Sequence, residues 1–435
     1  IPSERTDGET GIMKSSHNSP STWKRLGPWV IAALILIVLP LIFSSSFSRS
    51  MLSQMGLAII FALSYNMLLG EGGLLSFGHA VFYGLGGFIS IHVLNLIGNG
   101  SLPIPLELMP LVGGVGAVLF GLIFGWIATK RAGTTFALIT LGIGELIASS
   151  ALMLPSFFGG EQGISSNRMS VMTITGINFG RQITVYYLIA FWTMVSAVLM
   201  YLLTQTPLGR MANAVRDNPE RAPFVGYDPH RVRTLQYTLA SFFAGIAGAL
   251  FAVNYELVTA ETIGHIPSGN VLMMTYIGGV GHFFGPILGA VLVTFMQLSL
   301  ANITHAWLLY FGLLFMGMVI WAPEGLAGLI MLHEPVWKAG LMKKLLPAYI
   351  RAALPALILF LGAMLLIEIN YHLSLSTDPT APMHLFKISF SAQSPFPWGI
   401  AVALVVIGFW LLRRAARGVN QSWQEVTFLL KKGDA

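Results

Sequence analysis

The sequence has no cysteine among its 435 residues. That excludes disulfides, thiolate nucleophiles and cysteine-ligated metals together. Charge is scarce as well: Asp, Glu, Lys and Arg make up 10% of the chain, where a soluble domain carries roughly a quarter. The alternating apolar and polar segments of a β-barrel are missing, because the apolar runs are continuous. No GxxxxGK[ST] occurs, so the chain cannot hold ATP in a P-loop. No GxSxG or HExxH occurs either. With no catalytic constellation in view, the chain is expected not to be an enzyme and to bind no cofactor of its own.

What is present is apolar. Hydrophobic residues make up 55% of the chain and the mean hydropathy is +0.73. They fall in runs near the ~20 residues needed to cross a bilayer. The predicted fold is all-α: a polytopic helical integral membrane protein with about 10–12 spans, one of them short or re-entrant. The spans are predicted near 29–47, 51–69, 74–96, 107–129, 134–154, 184–203, 235–253, 307–326, 352–369 and 398–412. Pro40 is expected to kink the first. The region 266–303 is less regular. A short apolar segment ends at Gly278-Gly279-Val280-Gly281, His282 to Pro286 follow, and then comes a full helix. Glycine and proline interrupt a membrane helix only where protein or water covers the freed backbone, so this reads as a broken or re-entrant element.

The formal net charge of +6 is topological in origin and calls for no nucleic acid. With the N-terminus inside and twelve crossings, 20 of the 24 Lys and Arg residues fall on the cytoplasmic side, as the positive-inside rule expects. Only Arg49, Arg168, Arg181 and Lys387 fall outside. The chain opens on Ile1 and not on methionine, so its natural start is expected further upstream. Residues 1–25 are expected to be a disordered cytoplasmic tail, since the first 22 are polar and lack the apolar core of a signal peptide. Residues 26–334 form the expected transmembrane core. Residues 335–435 form an extension with two more spans, a polar loop bearing Asp378, His384 and Lys387, and a basic cytoplasmic tail.

One charged island interrupts the core. The loop at 205–234 holds Arg210, Arg216, Asp217, Glu220, Arg221, Asp228, Arg231 and Arg233. Thr206-Pro207 suits a helix start. Pro219, Pro223 and Gly226 then break the run, predicting a short helix, a turn and a second short helix across the membrane surface. Spacing alone leaves two readings open: a solvated loop made basic by topology, or a docking element.

Within the spans, Glu145 is the costliest residue, at some ~2.5–3.5 kcal/mol on insertion scales, so it is expected to face protein or water. It reads either as a pathway contact or as a hydrogen-bonded strut. Glu71 lies near the end of a span, where a solvated carboxylate is cheap. His79 and His282 each follow glycine, with phenylalanine nearby. They mark either two halves of a distant repeat lining one path or two packing residues. No third ligand accompanies them for a metal. Asn66, Ser76 and Thr140 are suited either to hydrogen-bonding a zwitterion in passage or to joining helices.

Four stretches together resemble the permeases of branched-chain amino acid ABC transporters, LivM type. They are LSYNMLLGEGGLLSFGHAVFYGLGGF (63–88); GTTFALITLGIGELI (133–147) with GGEQGI (159–164); GRMANAVRDN (209–218) with Ala222, Gly226 and LASFFAGIAGALFA; and IGGVGHFFGPILGAVLV (277–293) with APEGLAGLI (322–330). The resemblance covers about 30–330 and stops short of the extension. It implies an importer of branched-chain or related amino acids in a bacterial inner membrane, with both termini cytoplasmic. Its partners would be a second permease, two ATP-hydrolysing subunits, a periplasmic or lipid-anchored binding protein, and membrane lipid. It makes 205–234 a coupling loop seated on an ATPase through Arg210, Ala214, Arg216, Asp217, Glu220 and Gly226. Urea permeases look much the same, so a urea or short-amide importer stays open. A stand-alone ion-coupled transporter stays open too, although such a protein wants a second intramembrane charge near Glu145.

Overall fold

The computed structural model describes residues 22–174, 176–375, 383–385 and 388–433. The expected tail lies, through residue 21, outside the described residues, as do Asp378 and Lys387. The fold is helical almost throughout. In order come α1 (Thr22–Ile42), α2 (Ser46–Asn66), α3 (Ala80–Gly98), α4 (Met109–Ala128), α5 (Thr134–Met153) and the single turn α6 (Pro155–Phe158). Then come α7 (Gln182–Gln205), α8 (Pro207–Asp217), α9 (Pro229–Tyr255), α10 (His265–Gly278) and α11 (Gly285–Phe295). The chain closes with α12 (Trp307–Trp321), α13 (Gly325–Lys338), α14 (Met342–Leu375) and α15 (Pro395–Gly433). Among the described residues, strand is confined to two small antiparallel pairs: β1 (Ile164–Ser165) with β2 (Leu257–Val258), and β3 (Met383–Leu385) with β4 (Ile388–Phe390).

Among the described residues, eight helices are long and apolar enough to cross a membrane. The pair α12 and α13, bent by 46°, passes that test only together, and Leu26–Ile42 and Gly285–Leu300 are shorter apolar helices. The protein is thus a polytopic helical membrane protein. The broken element expected at 266–303 is the 14-residue α10, a turn, and α11 continued by the π-helical turn Met296–Leu300.

Two expectations need correction. The third span does not begin at Leu74: residues 72–79 are non-helical and α3 starts at Ala80. The glycine pair Gly72-Gly73 ends the preceding helix, with Gly73 at φ +63°, where a side chain is disfavoured. The span near 307–326 stops at Trp321 and bends into α13. The basic segment that closes the extension is helical, a continuation of α15, which runs unbroken for 39 residues, about 58 Å at 1.5 Å per residue.

The centre of the bundle is α2 and α9, whose apolar windows are 94% and 83% buried. Small residues let their neighbours in. A Cβ on Gly86 of α3 would strike the backbone of Gly245, one on Gly245 would strike the backbone of Gly113 in α4, and one on Gly248 would strike the carbonyl of Tyr83. Backbones this close gain dispersion contacts that larger side chains forbid, which is how membrane helices associate without a hydrophobic drive. By contrast α5 has 28% of its window buried and leaves Leu138, Leu146, Leu152 and Met153 exposed.

Helices α14 and α15 pair as an antiparallel hairpin, with Gly362 against Leu404 and Val405, and Gly408 against Leu359. Their hold on the core includes a buried carboxylate. Glu368 accepts hydrogen bonds from Thr304 Oγ1 at 2.6 Å and from the Tyr310 hydroxyl at 2.9 Å.

Candidate functional site

The charged island at 205–234 folds as its residues dictate. Thr206 caps α8, its hydroxyl accepting the Gly209 N–H, and Pro207 occupies the first turn, where its missing N–H costs nothing. Arg216 lies in the last turn, complementing the helix dipole. Asn218 then makes an Asx turn, accepting the N–H groups of Glu220 and Arg221. A 3-10 turn over Ala222–Val225 ends at Gly226, φ +84°. Asp228 caps α9 by accepting the His230 N–H at 2.9 Å, with Pro229 following. Ala212, Val215, Ala222 and Val232 bury against one another and tie the two helices into a small unit.

That unit is bolted to the bundle. The α-helix of α2 widens into a π-helical turn at Met67–Glu71, a local irregularity often found at working sites. Three side chains grip this turn: Gln236 of α9 donates to the Met67 carbonyl, Arg216 of α8 donates to the Gly70 carbonyl, and Asn213 donates to Glu71 at 2.6 Å. Glu71 is therefore not simply solvated, as its position in sequence suggested. Across the unit, Thr129 at the end of α4 bonds Thr234 at 2.7 Å and His230 at 3.1 Å.

The predicted docking residues divide into two sets. Arg210, Ala214, Asp217, Glu220 and Gly226 face outward and are exposed. Arg216 is exposed as well but also reaches back to the Gly70 carbonyl, with its Nε 3.0 Å from Asp217. Sequence reasoning missed the most exposed large apolar side chain of the loop. Phe224 is 90% exposed, and Val225 and Tyr227 beside it are exposed as well. An apolar tip on a polar loop is the signal that would have found it.

The predicted pathway residues also divide. Asn66, Ser76, His79 and Thr140 are all buried: Asn66 directly before the gripped turn, Ser76 and His79 in the stretch after it, and Thr140 on α5. Ser76 accepts the Tyr65 hydroxyl through its carbonyl at 2.9 Å. His79 Nε2 lies 2.9 Å from the Ser64 hydroxyl, and its ring stacks on Phe61 at 5.5 Å. Thr140 Oγ1 accepts the Phe77 N–H at 3.1 Å, and a Cβ on Gly78 would strike the Thr140 carbonyl. The non-helical stretch 72–79 thereby joins the gripped turn of α2 to the middle of α5. His282 lies instead in the turn between α10 and α11 and, among the described residues, shares no ring contact or hydrogen bond with His79. Glu145 is on α5 with its side chain 54% exposed, 3.5 Å from His265 Nδ1 at the start of α10. Among the described residues no cluster of three metal-ligating side chains occurs.

At the other end of the bundle, Arg168 bonds the carbonyls of Val253 and Asn254 and lies 3.7 Å from Glu256. Near this end a cavity of about 280 Å³ opens among α2, α3, α9, α10 and α11. Phe61, Tyr83 and Phe251 give it an aromatic wall, and Gln54, Glu261 and Asn270 supply polar groups. Phe61 thus separates this cavity from His79 by one ring.

A family model described as the permease component of branched-chain amino acid transport systems matches residues 48–323. The high-affinity branched-chain amino acid transport system permease protein LivM of Salmonella typhimurium is 29% identical over 291 residues, covering 62% of this chain and 67% of its own. The corresponding LivH protein of that organism is 23% identical over 250 residues, covering 54% and 78%. The fructose import permease FrcC of Rhizobium meliloti is 31% identical over 203 residues, covering 43% and 53%. No solved structure matches the chain.

Proposed function

This chain belongs to the family of branched-chain amino acid transport system permease components, and from that premise we propose that it is a transmembrane subunit of an ATP-driven importer for branched-chain or related amino acids. In this reading the basic end of the bundle faces the cytoplasm of a bacterial inner membrane, and both termini lie there. ATP is hydrolysed by two separate subunits, so this chain carries no cofactor and is not an enzyme. A solute-binding protein delivers from the opposite side. A second permease covers the exposed face of α5, so that Glu145 and His265 come to lie at the seam between subunits.

One observation carries the reading: a stiff, capped helix–turn–helix unit, anchored at the α2 π turn and presenting Phe224 outward. A lever needs a rigid arm, a fixed pivot and a contact for the motor. The α8–α9 unit supplies the arm and the gripped turn supplies the pivot. Phe224, with Arg210 and Asp217 nearby, supplies the contact. Motion at the loop then has a path of direct contacts to follow: from Arg216 and Asn213 to Gly70 and Glu71, along residues 72–79, and from Phe77 to Thr140 on α5. Tilting α5 would change the seam at which solute crosses.

The test replaces Arg216 and Asp217 together in the complete importer. Uptake of labelled leucine is expected to vanish while the protein still inserts. Uptake and ATPase co-purification that both survived would refute the docking role. Leucine uptake by the purified chain alone in liposomes, driven by an ion gradient without ATP, would replace this reading with a secondary transporter. Uptake of labelled urea in preference to leucine would move the substrate to short amides.

A further inference from the structure

The extension holds a cleft that the importer reading does not use. Lys344 of α14 and Glu425 of α15 pair at 3.2 Å, and Tyr349 accepts a hydrogen bond from Trp423 at 2.8 Å. Just beyond this cluster the two helices part around a cavity of about 380 Å³. Arg351 enters it from α14. Arg414, Gln421 and Ser422 enter from α15. The Arg414 guanidinium lies 3.6 Å from the centre of the Trp410 ring, which holds it in place. Arg351 donates its Nε to the Pro347 carbonyl at 3.1 Å, leaving its terminal nitrogens free to bond elsewhere. Among the described residues neither arginine has a carboxylate within ion-pair distance. Glu425 also lines the cleft, but Lys344 neutralises it.

The depth of the cleft decides what it takes. Residues 352–367 of α14 and 399–412 of α15 are uninterrupted apolar runs. The first begins directly after Arg351 and the second ends directly before Arg413. Both arginines therefore stand where the hydrocarbon layer gives way to headgroups, the level at which tryptophans such as Trp410 gather. Two guanidinium groups lining one cleft match the oxygens of a phosphate, and basic pockets between spans at this level suit anionic headgroups.

We propose that the cleft between α14 and α15 binds the headgroup phosphate of an anionic phospholipid, held by Arg351 and Arg414 with Gln421 and Ser422 as further donors. Such a lipid bridges the two helices of the extension. It sets their depth in the inner leaflet. The family match ends at residue 323, so the site lies outside the matched region.

The test uses the full chain in a neutral detergent, with native mass spectrometry to count bound lipid during titration with phosphatidylglycerol, phosphatidylcholine or inorganic phosphate. One phosphatidylglycerol is expected to bind roughly ten-fold more tightly than phosphatidylcholine, since charge-assisted bonds are the stronger ones. R351Q/R414Q is expected to lose about that factor. R413Q/R417Q removes the same charge outside the cleft and is expected to change affinity by less than about two-fold. Equal losses in both pairs would reduce the site to diffuse surface attraction and overturn the proposal, and so would no loss in either. Inorganic phosphate binding as tightly as phosphatidylglycerol, with the same dependence on Arg351 and Arg414, would overturn the lipid assignment in favour of a free anion. A melting curve for each variant separates lost binding from lost fold.

Discussion

Replacing Gly248 with alanine tests the packing that holds the bundle together. A Cβ there would strike the Tyr83 carbonyl and lie 3.0 Å from the Gly87 nitrogen. Both atoms are backbone, so no side chain can swing away to relieve the clash. Helix α3 or α9 must shift as a body, at the upper end of the ~1–3 kcal/mol usual for overpacking. Alanine returns about 0.8–1.0 kcal/mol of helix propensity, leaving a net loss of about 2 kcal/mol. Gly142 on α5 is the internal control, because a Cβ there meets nothing within 4 Å. Gly142→Ala should therefore gain about 1 kcal/mol from propensity alone. The assay is reversible unfolding of the isolated chain in mixed micelles, with both variants followed by tryptophan fluorescence. The variants should differ by about 3 kcal/mol. Equal stabilities would refute the claim that α3 and α9 meet backbone to backbone.

Two further outcomes follow from named contacts. Thr140→Val keeps the shape of the side chain but leaves the Phe77 N–H without its acceptor, at about 1–3 kcal/mol. In the complete importer it should slow leucine uptake while leaving ATPase co-purification unchanged, and unchanged uptake would break the proposed path from the loop to α5. Glu368→Ala strips the acceptor shared by Thr304 and Tyr310. Hydrogen exchange in residues 300–306 should then accelerate by about ten-fold for each 1.4 kcal/mol lost, and unaltered exchange would mean the extension is held by other contacts.

Much of the fold was legible in the sequence because the bilayer allows so few solutions. Continuous apolar runs gave the spans, and Gly278 to Gly281 marked the broken element. Thr206-Pro207 marked the start of α8, and Gly226 marked the turn before α9. What stayed hidden was tertiary. The π turn at Met67–Glu71 has no local signature; it is visible only once Gln236, Arg216 and Asn213 close on it from distant parts of the chain. Leu74 to Gly78 looked helical by hydropathy, because a stretch enclosed by protein is as apolar as one that spans lipid. Glu145 showed its cost but not its neighbour, since His265 is 120 positions away. Phe224 is an isolated aromatic in a charged loop, and its exposure shows only in the folded chain. Arg216, placed among the docking residues, also bonds the Gly70 carbonyl, a contact 146 positions away that no local pattern shows.

The central claim is that the α8–α9 unit is the seat of an ATPase and that Phe224 is its point of contact. The most direct measurement is co-purification of the ATPase subunits with the Phe224→Ala variant of the complete importer, read beside leucine uptake. An exposed aromatic that becomes buried at an interface costs about 2 kcal/mol or more when truncated, a roughly thirty-fold weakening. The account predicts that the ATPase is lost and uptake falls with it, while the melting temperature of this chain stays where it was. Full retention of the ATPase with normal uptake would contradict it.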